Sequence, residues 1–207
     1  MKFRASSVVL GALMAGALAG CSSGAAPTGP ASAAPESAVH RAVPYGSAPK
    51  VSSPLPDSVL AGHPCDTAFT AEQLGELFSK PPKGAHADLP ARGPGCRWLD
   101  DSSGALAIVR YSTNADGLST VYTEDRKGSK IWRVLEPIDG LPVVAYDSGA
   151  LQSENAGCQV SVGITDRSTL DVAITLGQKN IGKVEPCAKA AEVAGAIVST
   201  FEQRSGS

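Results

Sequence analysis

Residues 157–177, GCQVSVGITDRSTLDVAITLG, constrain the fold more than any other stretch of this chain. Val160, Val162 and Ile164 alternate with polar or small residues, and Leu170, Val172, Ile174 and Leu176 do the same. A period of two places each apolar set on one face of a strand. The intervening TDRS has turn composition, so the two strands are expected to pair antiparallel as a hairpin.

Other segments extend this pattern. GCRWLD and GALAIVRYST read as a second hairpin around DDSSG, with Ala105, Ala107 and Val109 on one face and Leu106, Ile108 and Arg110 on the other. IWRVLEP and LPVVAYDS read as a third pair around Asp139-Gly140. Three segments carry helical signals. Thr70 and Gln73 fit a capping box before Leu74, Leu77 and Phe78, predicting a short helix over 71–79 that KPPKG terminates. ADGLSTVYTEDRKG accommodates helix or strand and is read as helix, with Leu118, Val121 and Tyr122 on one side. In EPCAKAAEVAGAIVSTFEQR, Pro186 suits a first helical turn, and Ala190, Val193, Ala194, Ile197 and Phe201 fall on one face. The order predicts an α+β domain: a single antiparallel sheet with helices packed mainly on one face. Trp98 and Trp132 are expected in its core, and no internal repeat occurs.

The N-terminus has a different character. Lys2 and Arg4 precede an apolar run from about Ala5 to Ala19, the layout of a secretory signal and shorter than a spanning helix. The run ends in Leu18-Ala19-Gly20-Cys21, which resembles a bacterial lipobox. On that reading residues 1–20 are a signal peptide and Cys21 carries a thioether-linked diacylglycerol. Two or more acyl chains hold a protein stably to a bilayer, where one does not. Residues 21–55 then form a lipidated cysteine and a tether rich in Pro, Ala and Ser, whose composition predicts disorder. Fully extended at about 3 Å per residue, it reaches ~100 Å. The domain is expected over 56–204, with 205–207 as a tail. The expected location is the extracytoplasmic face of the cell membrane.

Setting Cys21 aside leaves Cys65, Cys96, Cys158 and Cys187. An even number in an exported chain reads as two disulfides. Of the three possible pairings, Cys65–Cys96 with Cys158–Cys187 is favoured because each links neighbours in sequence. A metal site or redox dithiol is disfavoured, since no C-x-x-C occurs and no histidine stands at ligand spacing near the four.

Chemistry is sparse. The formal charge is −2 for the whole chain, with no basic stripe to neutralise phosphates, so no nucleic-acid partner is expected. No nucleophile elbow, zinc-protease motif, phosphate loop or dinucleotide fingerprint is present. His40 falls in the tether, His63 precedes Pro64-Cys65, and His86-Ala87-Asp88 lies in a Pro/Gly-rich loop. Asp100-Asp101-Ser102-Ser103-Gly104 has oxygens for calcium but reads as turn residues. No catalytic residues, cofactor or metal are assigned.

HPCDTAFTAEQLGEL, GCRW, IDGLPVVAY, GCQVSVGITDRSTLDV and EPCAKAAEVAGAIVSTF, in this order after a lipobox and a Pro-rich tail, resemble actinobacterial lipoproteins grouped as domain of unknown function 3558. The resemblance covers about residues 56–204 and implies an envelope lipoprotein with the same two disulfides. It brings no catalytic set. The expected function is a non-catalytic, membrane-anchored binding domain for an envelope protein, glycan or lipid. The alternatives are an envelope hydrolase with a site assembled by folding, or a carrier of a small apolar ligand.

Overall fold

The computed structural model describes residues 41–147 and 156–206. The expected signal peptide, Cys21, His40 and the expected tether up to residue 40 lie outside the described residues.

Helices α1 (Pro64–Thr67) and α2 (Ala71–Leu77) come first, followed by strands β1 (Ala85–His86), β2 (Gly95–Asp100) and β3 (Ala105–Ser112). Helix α3 (Leu118–Thr123) leads to β4 (Trp132–Ile138), β5 (Leu141–Tyr146), β6 (Gly157–Thr165) and β7 (Ser168–Thr175), and α4 (Pro186–Ser205) closes the chain. The strands form one antiparallel seven-stranded sheet in the order β1-β2-β3-β7-β6-β5-β4. It is two meanders joined where β7 returns beside β3. The fold is therefore the expected α+β architecture.

Local chemistry sets these elements. Thr70 accepts from Gln73 N while the Gln73 side chain accepts from Thr70 N, completing the capping box of α2. Asp139 and Gly140 both have positive φ, at 50° and 80°, as a two-residue hairpin turn demands. Pro186 starts α4, whose cap is Glu185 accepting from Ala188 N.

The sheet has two unlike faces. On one, Val109, Val160, Val162, Leu170 and Val172 pack against Ala194, Ile197 and Phe201 of α4. Trp98 is in this core, edge-on to Phe69 at 5.0 Å. The opposite face carries a smaller cluster of Leu118, Val121, Val144 and Tyr146 beneath α3. Trp132 belongs there, half-buried against Tyr122, and not in the main core as expected. Trp132 pairs with Tyr146 across β4 and β5 and so shares the face of Tyr146, away from the main core.

Each meander is stapled to a helix. Cys65–Cys96 ties α1 to β2, and Cys158–Cys187 ties β6 to α4. These are the favoured pairings, and the two sequence separations of 31 and 29 correspond to roughly 3–4 kcal/mol each by loop-closure entropy.

The packed chain begins earlier than expected. Residues 41–55, assigned to the tether from composition, lie on the domain: Val51 is 4% exposed, Val51 N donates to Asp166, and Leu55 N donates to the Ile164 carbonyl. Two apolar side chains spaced among prolines are enough to dock a segment once a surface exists to receive them.

Candidate functional site

The register places a row of polar side chains across the face opposite α4. Arg110 of β3 is aligned with Asp171 of β7, and Asp171 with Ser161 of β6. The next position brings Gln159 opposite Tyr146 of β5. Polar residues at these positions break the apolar alternation on that side of the central strands.

The network has a definite direction. Ser161 donates to Asp171 Oδ1 at 2.6 Å and Ser112 donates to Oδ2 at 2.5 Å. Because Ser161 has given its proton to Asp171, the 3.1 Å contact between Tyr146 and Ser161 must be donated by the tyrosine. Gln159 Nε2 then donates to Tyr146 Oη at 2.6 Å. The chain runs Gln159 to Tyr146 to Ser161 to Asp171. Burial, and then the Asp171 charge, push the Tyr146 hydroxyl well above its ordinary pKa, which keeps it a donor.

Arg110 is the exception to this satisfaction. Its Nη2 donates to the Ala87 carbonyl at 2.7 Å, yet its buried Nε–H has no acceptor among the described residues. Burial lowers the guanidinium pKa, opposed by nearby Asp171. A buried donor without a partner costs about 1–3 kcal/mol, so this atom marks where an acceptor belongs.

Above this floor lies a cleft of about 370 Å³, in the range of about 300–1,000 Å³ common to small-molecule sites. Arg110, Asp171, Gln159 and Tyr146 form its inner part, and Leu89, Glu124 and Gly128 its outer wall. Arg92 clamps Asp125 through two hydrogen bonds of 3.0 and 2.7 Å, holding the turn after α3 against the loop after β1. Asp147 also faces the cleft and accepts from Ile131 N at 2.8 Å.

The histidines assemble next to this site. His63 and His86 stack with ring centroids 3.8 Å apart. His63 Nε2 lies 2.9 Å from Asp88 Oδ1, and His86 Nδ1 lies 3.7 Å from Oδ2. The Gly95 amide and the His63 side chain draw the Asp88 pKa down. Local spacing did not reveal that His63, Cys65 and His86 would bring potential ligand atoms within 4.8 Å of one another. Two features oppose metal binding in this arrangement. The Cys65 sulfur is committed to Cys96. His63 Nδ1 accepts from Cys65 N at 3.1 Å, so the ring carries its proton on Nε2, where a metal would have to bind. His63 serves as the cap of α1.

The aspartate-rich turn also satisfies itself. Asp100 accepts from the hydroxyls of Ser102 and Ser103, each at 2.6 Å, and from Ser102 N at 2.9 Å.

Of the residues singled out from sequence, the four cysteines pair and Asp88 joins the two histidines. The cleft residues Arg110, Gln159 and Asp171 were missed. Their signal was faint: charged and amide side chains on strands that are otherwise apolar or small.

A family model described as a protein of unknown function (DUF3558) matches residues 16–200. No curated protein and no solved structure matches the chain.

Proposed function

The chain belongs to the DUF3558 family of proteins of unknown function, and on that premise we propose that it is a lipid-anchored, extracytoplasmic binding protein of an actinobacterial envelope, with the sheet cleft as its ligand site. The anchor reading rests on Leu18-Ala19-Gly20-Cys21 and its basic and apolar approach. Two disulfides agree with an oxidising compartment. No helix among the described residues is long and apolar enough to cross a membrane.

The observation that carries the binding reading is the cleft itself, which brings half-buried Arg110 and Gln159 together with Asp171. Binding without turnover is favoured over hydrolysis because the floor hydroxyls are occupied and inaccessible. Ser112 and Ser161 are 1% and 0% exposed and both point to Asp171. His63 is engaged at both ring nitrogens. An apolar carrier is less well supported, since Leu89 is the aliphatic side chain of the cleft wall.

Two measurements test this. Tryptic mass spectrometry of protein from its native membrane is expected to yield a diacylglyceryl Cys21 peptide, and an unmodified N-terminus would overturn the anchor. Ligand-observed NMR on the full chain, against pooled amino acids, nucleosides, organic acids and sugars, is expected to give signals lost in Arg110→Met. A pool with no Arg110-dependent signal would overturn the cleft as a binding site.

A further inference from the structure

The segment that leads into the domain also reaches the cleft wall. Residues 41–50 lie on the domain with none of them buried, and Val51 is the first that is. The segment turns sharply at Gly46 and Ser47, both with positive φ, and Ala48 N closes the turn on the Tyr45 carbonyl at 3.2 Å. Its inner side meets α3. Tyr45 N donates to Ser119 Oγ at 2.9 Å, and Tyr45 Oη donates to Asp116 Oδ2 at 3.1 Å just ahead of the helix. Gly46 sits so near Thr123 that a Cβ there would overlap Thr123 Cγ2, and Ala48 packs on the cluster that contains Leu118 and Val121.

Helix α3 depends on such support. It has six residues, and no side chain caps its start at Gly117. A helix this short does not stand alone, so what packs on it holds it. Its far end runs straight into the cleft. Thr123 abuts Gly46, whereas Glu124 and Asp125 line the cleft, and Asp125 receives the bidentate pair from Arg92. Contact with the entering segment and the cleft wall are therefore adjacent in sequence.

The segment itself is lightly held. Besides the two Tyr45 bonds, Arg167 Nη2 reaches the Arg41 carbonyl at 3.4 Å. Segments with few buried contacts open locally, at far less cost than global unfolding. We propose that residues 41–48 are a latch. Docked on α3, they fix the cleft wall at Glu124 and Asp125. Lifted away, they loosen that wall and the Arg92 clamp while the sheet stays folded. In chain order the latch is the first described segment after Cys21. On the anchor reading above, a pull from the membrane reaches it before any other element, although the latch itself does not depend on that reading.

NMR on the full chain tests this with Gly46→Ala, Tyr45→Pro and the double variant, none of which alters α3 or the cleft lining. Gly46→Ala drives a Cβ into Thr123, and Tyr45→Pro removes the donors to Ser119 and Asp116. Loss of the nuclear Overhauser contact between the Thr123 methyl group and residue 46 reports undocking. The Glu124 amide donates to the Thr120 carbonyl at 2.8 Å. That amide and the Arg92 guanidinium protons are expected to exchange about 10-fold faster on undocking, with β6 and β7 amides unchanged. Undocking with unchanged exchange at Glu124 and Arg92 would overturn the latch and leave the anchor and binding readings standing. Faster exchange throughout β6 and β7 would overturn it as well, because the release would then be global. A double variant that stays docked would show that Tyr45 and Gly46 do not seat the segment, which also overturns it.

Discussion

Ser161 and Asp171 face each other in direct register across β6 and β7, and the serine hydroxyl donates to the carboxylate at 2.6 Å where neither residue is more than 4% exposed. The carboxylate holds the network together because Ser112 reaches its other oxygen and Tyr146 reaches it through Ser161. Replacing Asp171 with leucine strands two buried hydroxyls and removes the negative charge beside Arg110. A loss of about 3–5 kcal/mol in urea unfolding is expected. Ser161→Ala, which leaves Ser112 in place, is expected to cost about 1–2 kcal/mol. Equal losses for the two variants would show that Asp171 does not organise this face.

Gly95 controls how Arg110 is held. A Cβ there would lie 2.5 Å from the Ala87 carbonyl oxygen and 3.1 Å from Arg110 Nη2. Backbone cannot yield as a flexible side chain does, so Gly95→Ala is expected to displace the segment that Arg110 grips. The expected cost is about 1–3 kcal/mol in thermal or urea unfolding. Gly75→Ala meets nothing within 4 Å and serves as the control, expected to be neutral or slightly stabilising.

Asp100 supplies a pH test with a definite sign. Hydrogen bonds from Ser102 and Ser103 lower its pKa to about 2 from the usual 3.8. A depressed value in the folded state means that the ionised form is the one the fold favours. Its contribution is complete above about 4 and disappears as pH falls through about 2. A carboxyl-carbon NMR titration is expected to place the Asp100 midpoint near 2. Ser102→Ala combined with Ser103→Ala should return the midpoint toward 3.8. An unchanged midpoint would assign the shift to some other cause.

The domain boundary is open to direct measurement. Val51 is buried, and Tyr45 N donates to Ser119 Oγ at 2.9 Å. Limited proteolysis of the full chain should therefore leave a resistant fragment that begins at or before residue 45. A chain starting at residue 56 is expected to be about 2 kcal/mol less stable than one starting at 41. Rapid cleavage between 45 and 55 would restore that segment to the tether.

Much of the architecture was legible because it is encoded within short windows. Period-two runs identified β6 and β7, Thr70 with Gln73 began α2, and the Ala190-to-Phe201 stripe defined the buried face of α4. Even the disulfides followed from an even count of cysteines, read as those of an exported chain, and from neighbours in sequence. The tether boundary was misplaced because composition registers Pro and Ser but not the surface that Val51 meets. Little of the cleft was legible. Arg110 and Asp171 are separated by 61 residues, and Gln159 and Tyr146 belong to yet other strands. Each looks like an ordinary polar position on its own strand. Cross-strand register, fixed by burying the opposite face against α4, is what sets them side by side. The same holds for His63, His86 and Asp88, which converge only after β1 pairs with β2 and Cys65 joins Cys96. By itself the sequence determined most of the elements, though not the short α1 and β1, together with the staples and the pattern expected of an exported chain. The tertiary structure alone decided which polar groups share a volume, because that depends on long-range pairing and on which face of the sheet is covered.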